Sequence, residues 1–355
     1  MSSQLDILAL EPFYGGVRRA MLESLIRASR HRWTLFKLPP RRMERRLTAA
    51  AHWFSEQLAR HWVGKVDVIF TSEAMNLADL IRLMPPLGRK RSVVYFHANQ
   101  LPPPESPHHS ALDLVNLNTA MAANEIWFNS VWHLQTFLHR ASALVDRHSE
   151  LSNRNPMPQL AAKSHLVYPP TNLDLVHEMM AGPKIAREPH TIFVNTRDAD
   201  CQLLNQAMAV LKLRQEKFHL MTVGPTEELD PNLPRTTLPE NDEVVQVQAM
   251  RKCDVILSVK PDAPSDHHML MAIAAGCWPA VPDAAVYREM IPESLQDDCV
   301  YRIDPGALAT RLQDIWDQTR ISARIPEFEP MLDHYAIKNA CKVVDERLTN
   351  LVATP

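Results

Sequence analysis

The residues with chemistry to offer stand at the ends of short apolar runs. In "LALEPFYGGVRRAM" (8–21) the run stops at Glu11-Pro12. Two aromatics follow, then Gly15-Gly16, then Arg18 and Arg19. Two adjacent glycines let backbone N–H groups come close to a ligand, and a helix start favours an anion. A tight turn without a ligand would use the same pair. "YFHANQLPPP" sets His97, Asn99 and Gln100 directly after another apolar run. His97 there can serve as acid, base or hydrogen-bond donor to a sugar hydroxyl, or be purely structural. "FTSEAMNLADL" carries Ser72, Glu73 and Asn76, and "WFNSVWHL" carries Asn129 and Ser130. Ser130 also fits a helix N-cap. "FVNTRDADC" carries Asn195 and Arg197. A guanidinium at Arg197 can grip a diphosphate with two parallel hydrogen bonds. Asp198 fits the cap of the helix that follows.

Elements that place such residues are readable from periodicity. Strand-like runs in the first half are "LDILAL", "WTLFKL", "VDVIFTS", "SVVYFH", "EIWFNS" and "SHLVYPP". Those in the second half are "TIFVNT", "FHLMTVG", "CDVILSV" and "CVYRI". Amphipathic stretches such as "RRAMLESLIRAS" and "LLNQAMAVLKLRQ" lie between them. This βαβα alternation, made twice, predicts two α/β domains with parallel sheets. The break falls at Pro169-Pro170, giving domains of 1–170 and 171–355, and the tail 332–352 reads as one long helix of the second. Ligands of open α/β sheets bind beyond the carboxyl ends of the strands. The polar corners sit at such ends.

Composition narrows the classes. A chain of 355 residues holds two ordinary cores. Mean hydropathy is −0.22, and no apolar run approaches the length of a membrane span. The amino terminus lacks a basic segment followed by an apolar one, so a cytoplasmic location is expected. Five cysteines without a CxxC spacing are expected to be reduced and buried. Only 8 glycines occur, where average usage would give roughly 25, so the Gly15-Gly16 pair carries weight. Residues 1–150 hold 18 Lys+Arg and 13 Asp+Glu, whereas 151–355 hold 20 and 28. The basic half fits a polyanion such as nucleic acid. Its arginine-rich segments are "PPRRMERRL", with Arg41, Arg42, Arg45 and Arg46, and "GRKRS". P-loop, G-x-S-x-G, HExxH and zinc spacings are all missing, so kinase, serine hydrolase and metalloprotease readings have no support.

Taken together, "EPFYGG", "SEAMNLADL", "YFHANQL", "FNSVW", "VNTR" and "GCWPAVPDAAVYREMIP" resemble, in order and spacing, the tRNA-queuosine mannosyltransferases, relatives of the family-4 retaining glycosyltransferases. The resemblance implies a GT-B fold, two Rossmann-like domains facing across a cleft. It implies a nucleotide sugar, GDP-mannose, held mainly by the second domain. It implies tRNA queuosine as the acceptor at the first, with no metal and no other cofactor. Carried over by position, His97 and Arg197 are the catalytic candidates. Gly15, Gly16, Asn195 and Arg197 are donor contacts, and Asn99, Gln100, Asn129 and Ser130 line the acceptor side. The family's two donor-site glutamates are replaced here by Ala263 and Met271, with Asp262 and Asp266 as candidate substitutes. Its lysine after the arginine is Gln202. Two other readings follow from these departures: a catalytically impaired member that binds RNA or a partner, and a glycosyltransferase with a different donor.

Overall fold

The computed structural model describes residues 4–61, 64–98, 101–106, 112–147, 155–318 and 321–353. The chain forms two compact units. The first comprises residues 1–170 and 338–355, and the second 171–337.

The first unit is built on six parallel strands: β1 (Asp6–Glu11), β2 (Arg32–Lys37), β3 (Val68–Ser72), β4 (Arg91–Phe96), β5 (Glu125–Phe128) and β6 (Ser164–Leu166). Their order in the sheet is β2-β1-β3-β4-β5-β6. Every residue of β3 is buried, while edge strand β2 is at most half-buried. A parallel strand covered on both faces needs an unbroken apolar run, which is why "VIFTS" and "VVYF" do not alternate. One side of the sheet packs Leu10, Ile69, Phe96 and Phe128 against Phe54, Leu80 and Phe137 of the flanking helices. The rings of Phe96 and Phe128 stack at 5.1 Å.

The second unit has β7 (Thr191–Asn195), β8 (His219–Val223), β9 (Arg235–Leu238), β10 (Val255–Leu257), β11 (Trp278–Pro282) and β12 (Val300–Tyr301). The order is β12-β11-β10-β7-β8-β9, all parallel. Read from its first strand this is the 3-2-1-4-5-6 Rossmann order, which reverses between β7 and β10. In the first unit the reversal lies between β1 and β3. Four helices of the second unit start on aspartates: Asp200, Asp242, Asp266 and Asp304 each accept a backbone N–H from three residues on. Such a cap is worth about 1 kcal/mol. Asp200, not Asp198, is therefore the cap after β7. Asp198 instead adopts a left-handed φ of 58°.

Two strands escaped the sequence reading. β9, "RTTL", is a partly exposed edge. β11, "WPAVP", is buried but carries Pro279 and Pro282. The Trp278 N–H points toward the β10 side, bonding Asp254 O at 2.8 Å. The Pro279 nitrogen thus faces β12, whose ladder covers only Val281 and Pro282. No ladder bond is lost there, so proline is tolerated.

The tail also departs from expectation. It is two helices, Glu329–Tyr335 and Ile337–Ala353, and the second packs on the first unit rather than its own neighbour in sequence. Asp345 decides this. Its buried carboxylate accepts the Ser29 hydroxyl and the Arg30 N–H, the latter at 2.8 Å, and its carbonyl meets His31 Nε2 at 3.1 Å. Arg347 adds a bond to Glu125 at 3.2 Å. All five cysteines are free and buried. Among the described residues no helix is long and apolar enough to cross a membrane.

Asp345→Ala leaves the Arg30 N–H and the Ser29 hydroxyl without their acceptor. We expect a loss of about 1–3 kcal/mol, seen in chemical denaturation as an earlier transition of the first unit with the second unit's transition unmoved.

Candidate active site

The first-unit site is built where β1, β3, β4 and β5 end side by side. Glu11 is the last residue of β1 and is buried. Its Oε1 accepts the Phe13 N–H at 2.7 Å and the Ser72 hydroxyl at 3.0 Å. Glu73, just beyond β3, is wholly buried. Its Oε2 accepts the His97 N–H at 3.1 Å and its Oε1 the Ala98 N–H at 3.1 Å. The Arg18 guanidinium donates to the same carboxylate. Asn116 Nδ2 donates to the Glu73 carbonyl at 2.9 Å, so both ends of the residue are fixed. One carboxylate thus joins the first helix, through Arg18, to the corner that bears His97.

Glu11, His97 and His133 titrate abnormally. Burial pushes the Glu11 carboxyl up to about 7, with Arg18 opposing and Glu73 adding to the rise. Burial holds the His97 imidazole well below its usual value, and the positive charge of Arg18 works in the same direction. His97 is therefore neutral at physiological pH, with its ring 4.8 Å from that of Tyr95. Asn129 bridges the His97 carbonyl at 3.0 Å and His133 Nδ1 at 2.7 Å. Since the Asn129 amide nitrogen donates, its oxygen accepts and His133 carries the proton on Nδ1. Burial lowers His133 to about 3.

Gly15 and Gly16 have different reasons to be glycine. A Cβ on Gly15 would sit 2.5 Å from Pro40 Cγ. Gly16, with φ of 52°, is in the left-handed region and has open space around it. The same corner is tied to the strand β2 exit: Tyr14 N–H bonds Leu38 O at 2.9 Å, and Leu38 N–H bonds Glu11 O at 3.0 Å. Pro39-Pro40 leads straight into Arg41, Arg42, Arg45 and Arg46. Three of these are exposed, and Arg46 bonds Pro39 O at 3.0 Å. This arginine segment lies at the carboxyl edge with the site. The other basic run ends at Arg91, the first residue of β4, on the opposite edge.

In the second unit, Asn195 ends β7. Its Oδ1 accepts the Arg197 N–H at 2.9 Å, so its amide donates to His268 Nδ1 at 2.9 Å. His268 Nε2 then donates to Gln246 Oε1 at 3.1 Å, and Gln246 Nε2 donates to the carbonyls of Pro239 and Glu240 at 2.8 and 3.0 Å. The Glu240 carboxylate closes the ring by pairing with the Arg197 guanidinium. One backbone N–H orients every amide and ring in this circuit. Burial holds His268 near 3, so its neutral tautomer is the one used.

Several expected site residues are engaged structurally. Ser130 caps the helix Val131–Arg147 through the His133 N–H at 3.1 Å, and Asn129 supports its neighbours. Asp266 caps the helix His267–Ala274 and accepts the Ser258 and Tyr287 hydroxyls at 2.9 and 3.1 Å. It is thereby engaged as a structural cap. Asp262 is exposed in the loop after β10. Met271 is turned into the core. Asn99 and Gln100 lie outside the described residues. Glu11, His133, Gln246, His268 and Glu240 were not anticipated. For Glu11 the signal was present, an acid closing a run that is otherwise apolar.

Residues 6–171 match the family described as tRNA-queuosine alpha-mannosyltransferase N-terminal. Over that stretch, the first domain, the chain is similar to this family. A tRNA-queuosine alpha-mannosyltransferase of Drosophila melanogaster is 26% identical over 317 residues, covering 81% of this chain and 82% of the relative. Among solved structures, Anabaena HepE in complex with UDP and glucose is similar at a TM-score of 0.65 and 13% identity, over 98% of this chain and 100% of that one. The catalytic domain of Arabidopsis thaliana starch synthase IV, bound to ADP and acarbose, gives 0.68 and 11%, over 99% and 100%. These likenesses show the GT-B fold.

The buried Glu11 gives a signed pH effect. Between its ordinary value of 4.5 and about 7, the folded chain holds a proton at Glu11 that the unfolded chain has released. That contribution to stability is full below 4.5 and is lost as pH rises through 7. His97, His133 and His268, held neutral, pull the other way at low pH. Subtracting wild type from Glu11→Gln isolates the carboxyl. We expect the variant to gain up to about 3 kcal/mol relative to wild type across this window, measured by urea unfolding at stepped pH. A pH-independent difference would contradict the assignment.

Proposed function

We propose that this protein is a retaining glycosyltransferase that moves mannose from GDP-mannose to queuosine in tRNA. The observation that carries the reading is the Glu11–Ser72–Glu73–Arg18–His97 cluster, set at the strand-order reversal of the very domain that matches the family. A reversal of strand order opens a crevice for ligands. Here it is furnished with a fixed cation, a neutral imidazole and a carboxyl that titrates near neutrality.

In this reading His97 orients the transferring sugar through a hydrogen bond, its neutral state leaving a ring nitrogen able to accept. It is a positioning group and not the base. Arg197 and backbone donors at the β7 corner stabilise the charge that builds on the leaving diphosphate. The Asn195–His268–Gln246–Glu240 circuit holds the Arg197 backbone, and the guanidinium exchanges its exposed Glu240 partner for the diphosphate. The exposed Arg41, Arg42 and Arg45 share the carboxyl edge with the cluster and supply sequence-independent attraction for an RNA backbone. The Drosophila relative's name is the support for queuosine and mannose, and the nucleotides bound by the fold relatives support a nucleotide sugar.

One observation favours a second reading, an RNA-binding member without transfer. Ala263 and Met271 occupy the glutamate positions, and Met271 is buried in the core. Calorimetry and thermal shift with GDP, UDP, ADP and their sugars separate the two. GDP-mannose at 100 times its dissociation constant should raise stability by about 2.7 kcal/mol. Arg197→Ala should abolish mannose transfer while leaving the melting temperature within about a degree, because its exposed pair with Glu240 contributes little. Unchanged turnover in Arg197→Ala would remove the diphosphate role. Failure of every nucleotide sugar to bind a folded chain that still binds tRNA would favour the second reading.

A further inference from the structure

Lys260 has no place in the account so far. It lies three residues beyond β10, at the point where the second unit's strand order reverses. The β10 exit is joined to the β7 corner by the Asp200 N–H, which bonds Val259 O at 2.8 Å. The Lys260 carbonyl accepts the Ala263 N–H at 3.3 Å, turning the chain toward the Asp266 cap. The side chain is half-buried. Among the described residues no carboxylate pairs with its ammonium and no hydrogen bond satisfies it.

Such a cation is unusual. Desolvation opposes its charge, and that is the leading cause of its lowered pKa. The nearest acids do not offset it. Asp266 is held by Ser258, Tyr287 and the Met269 N–H. Asp198 sits on the left-handed turn after Arg197. Arg197 itself contributes repulsion. Lys260 and Arg197, the latter paired with Glu240, lie near one another beside the start of the helix Cys201–Leu213, where, among the described residues, the Asp200 cap is the one carboxylate on the helix end. A partly desolvated ammonium, a guanidinium and a helix start form a local field that an anion with several oxygens would relieve.

We propose that Lys260 is a diphosphate-binding cation of the second domain, occupying in space the role that Gln202 cannot fill. The ligand class is a nucleoside diphosphate, bare or carrying a sugar. The proposal rests on reading this domain as the nucleotide-sugar domain. It also accounts for a donor site that keeps Arg197 while its other charged positions have changed. Lys260 stands in the loop after β10, one strand spacing from the exit of β7.

The test uses the full chain with Lys260→Met, which keeps an apolar stem and removes the charge, and Lys260→Arg, which keeps the charge. Calorimetry gives affinities for GDP, UDP, ADP, inorganic pyrophosphate and the three nucleosides. We expect Lys260→Met to bind pyrophosphate and the preferred diphosphate roughly ten- to a hundredfold more weakly, with the nucleoside's affinity unchanged and Lys260→Arg close to wild type. Without ligand, Lys260→Met should melt no lower than wild type, since an unpaired half-buried charge has been removed. A structural lysine would lower it. Wild-type diphosphate affinity in Lys260→Met, equal loss of nucleoside binding, or no binding of any diphosphate by wild type would each overturn the proposal. Wild-type mannose transfer in Lys260→Met would sink Lys260 and leave the transferase reading standing. Lys260-dependent diphosphate binding without any mannose transfer would do the reverse.

Discussion

The Glu73 carboxylate is the interaction on which the first domain's chemistry depends. A wholly buried carboxylate survives only when its oxygens are satisfied, because removing a charge from water is costly. Glu73 meets that demand with two backbone N–H groups and one guanidinium. Those donors come from two different parts of the site. Arg18 comes from the helix after β1, and His97 and Ala98 from the corner after β4. Satisfying one buried charge therefore fixes the spacing of the two corners. Burial shifts the neighbours: it keeps His97 neutral, with Arg18 adding to the effect, and it raises Glu11 to about 7 against the opposition of Arg18.

The two sheets solve the same geometric problem with different strand orders. Each reverses direction once, and each reversal is where polar side chains gather. In the first domain they are Glu11, Glu73 and Arg18. In the second they are Asn195, Arg197 and Lys260. The supports differ in kind. The first domain relies on buried ionised groups held by backbone donors. The second relies on a neutral circuit through His268 and Gln246, in which a single N–H direction propagates from amide to imidazole to amide. A circuit with every donor and acceptor used is rigid, and it leaves the Arg197 guanidinium exposed to solvent and ligand.

Ten of the twelve strands are legible from sequence because parallel, two-face-covered strands need continuous apolar runs. The two that are not show why the signal fails. β9 is a polar edge, and β11 hides two prolines, of which Pro279 turns its missing donor to the β12 side outside the ladder. The corners after strands are equally legible, since the chain must leave the sheet through polar residues. What each polar residue does there is not. Asn129, Ser130 and Asp266 have the types expected of ligand contacts, yet their atoms are taken by the His97 carbonyl, a helix end and two hydroxyls. Glu11 and Glu73 look like surface acids in one dimension. Only the fold reveals that Glu73 takes the Arg18 guanidinium and Glu11 the buried Ser72 hydroxyl. The final helix reads as part of the second domain because sequence order suggests it, but Asp345 commits it to the first by answering donors more than three hundred positions away.

The most direct measurement is mannose transfer from GDP-mannose to queuosine-containing tRNA by wild type and by Glu73→Gln, with tRNA lacking queuosine as the control acceptor. Glutamine keeps the size and an acceptor oxygen but removes the charge that gathers Arg18 and the His97 corner. The account predicts queuosine-dependent transfer by wild type. It predicts a loss of at least roughly a hundredfold in Glu73→Gln, as expected when reacting groups are displaced by about an ångström, with tRNA and nucleotide binding retained. Full activity in Glu73→Gln, or a wild type that binds both substrates and transfers nothing, would contradict it.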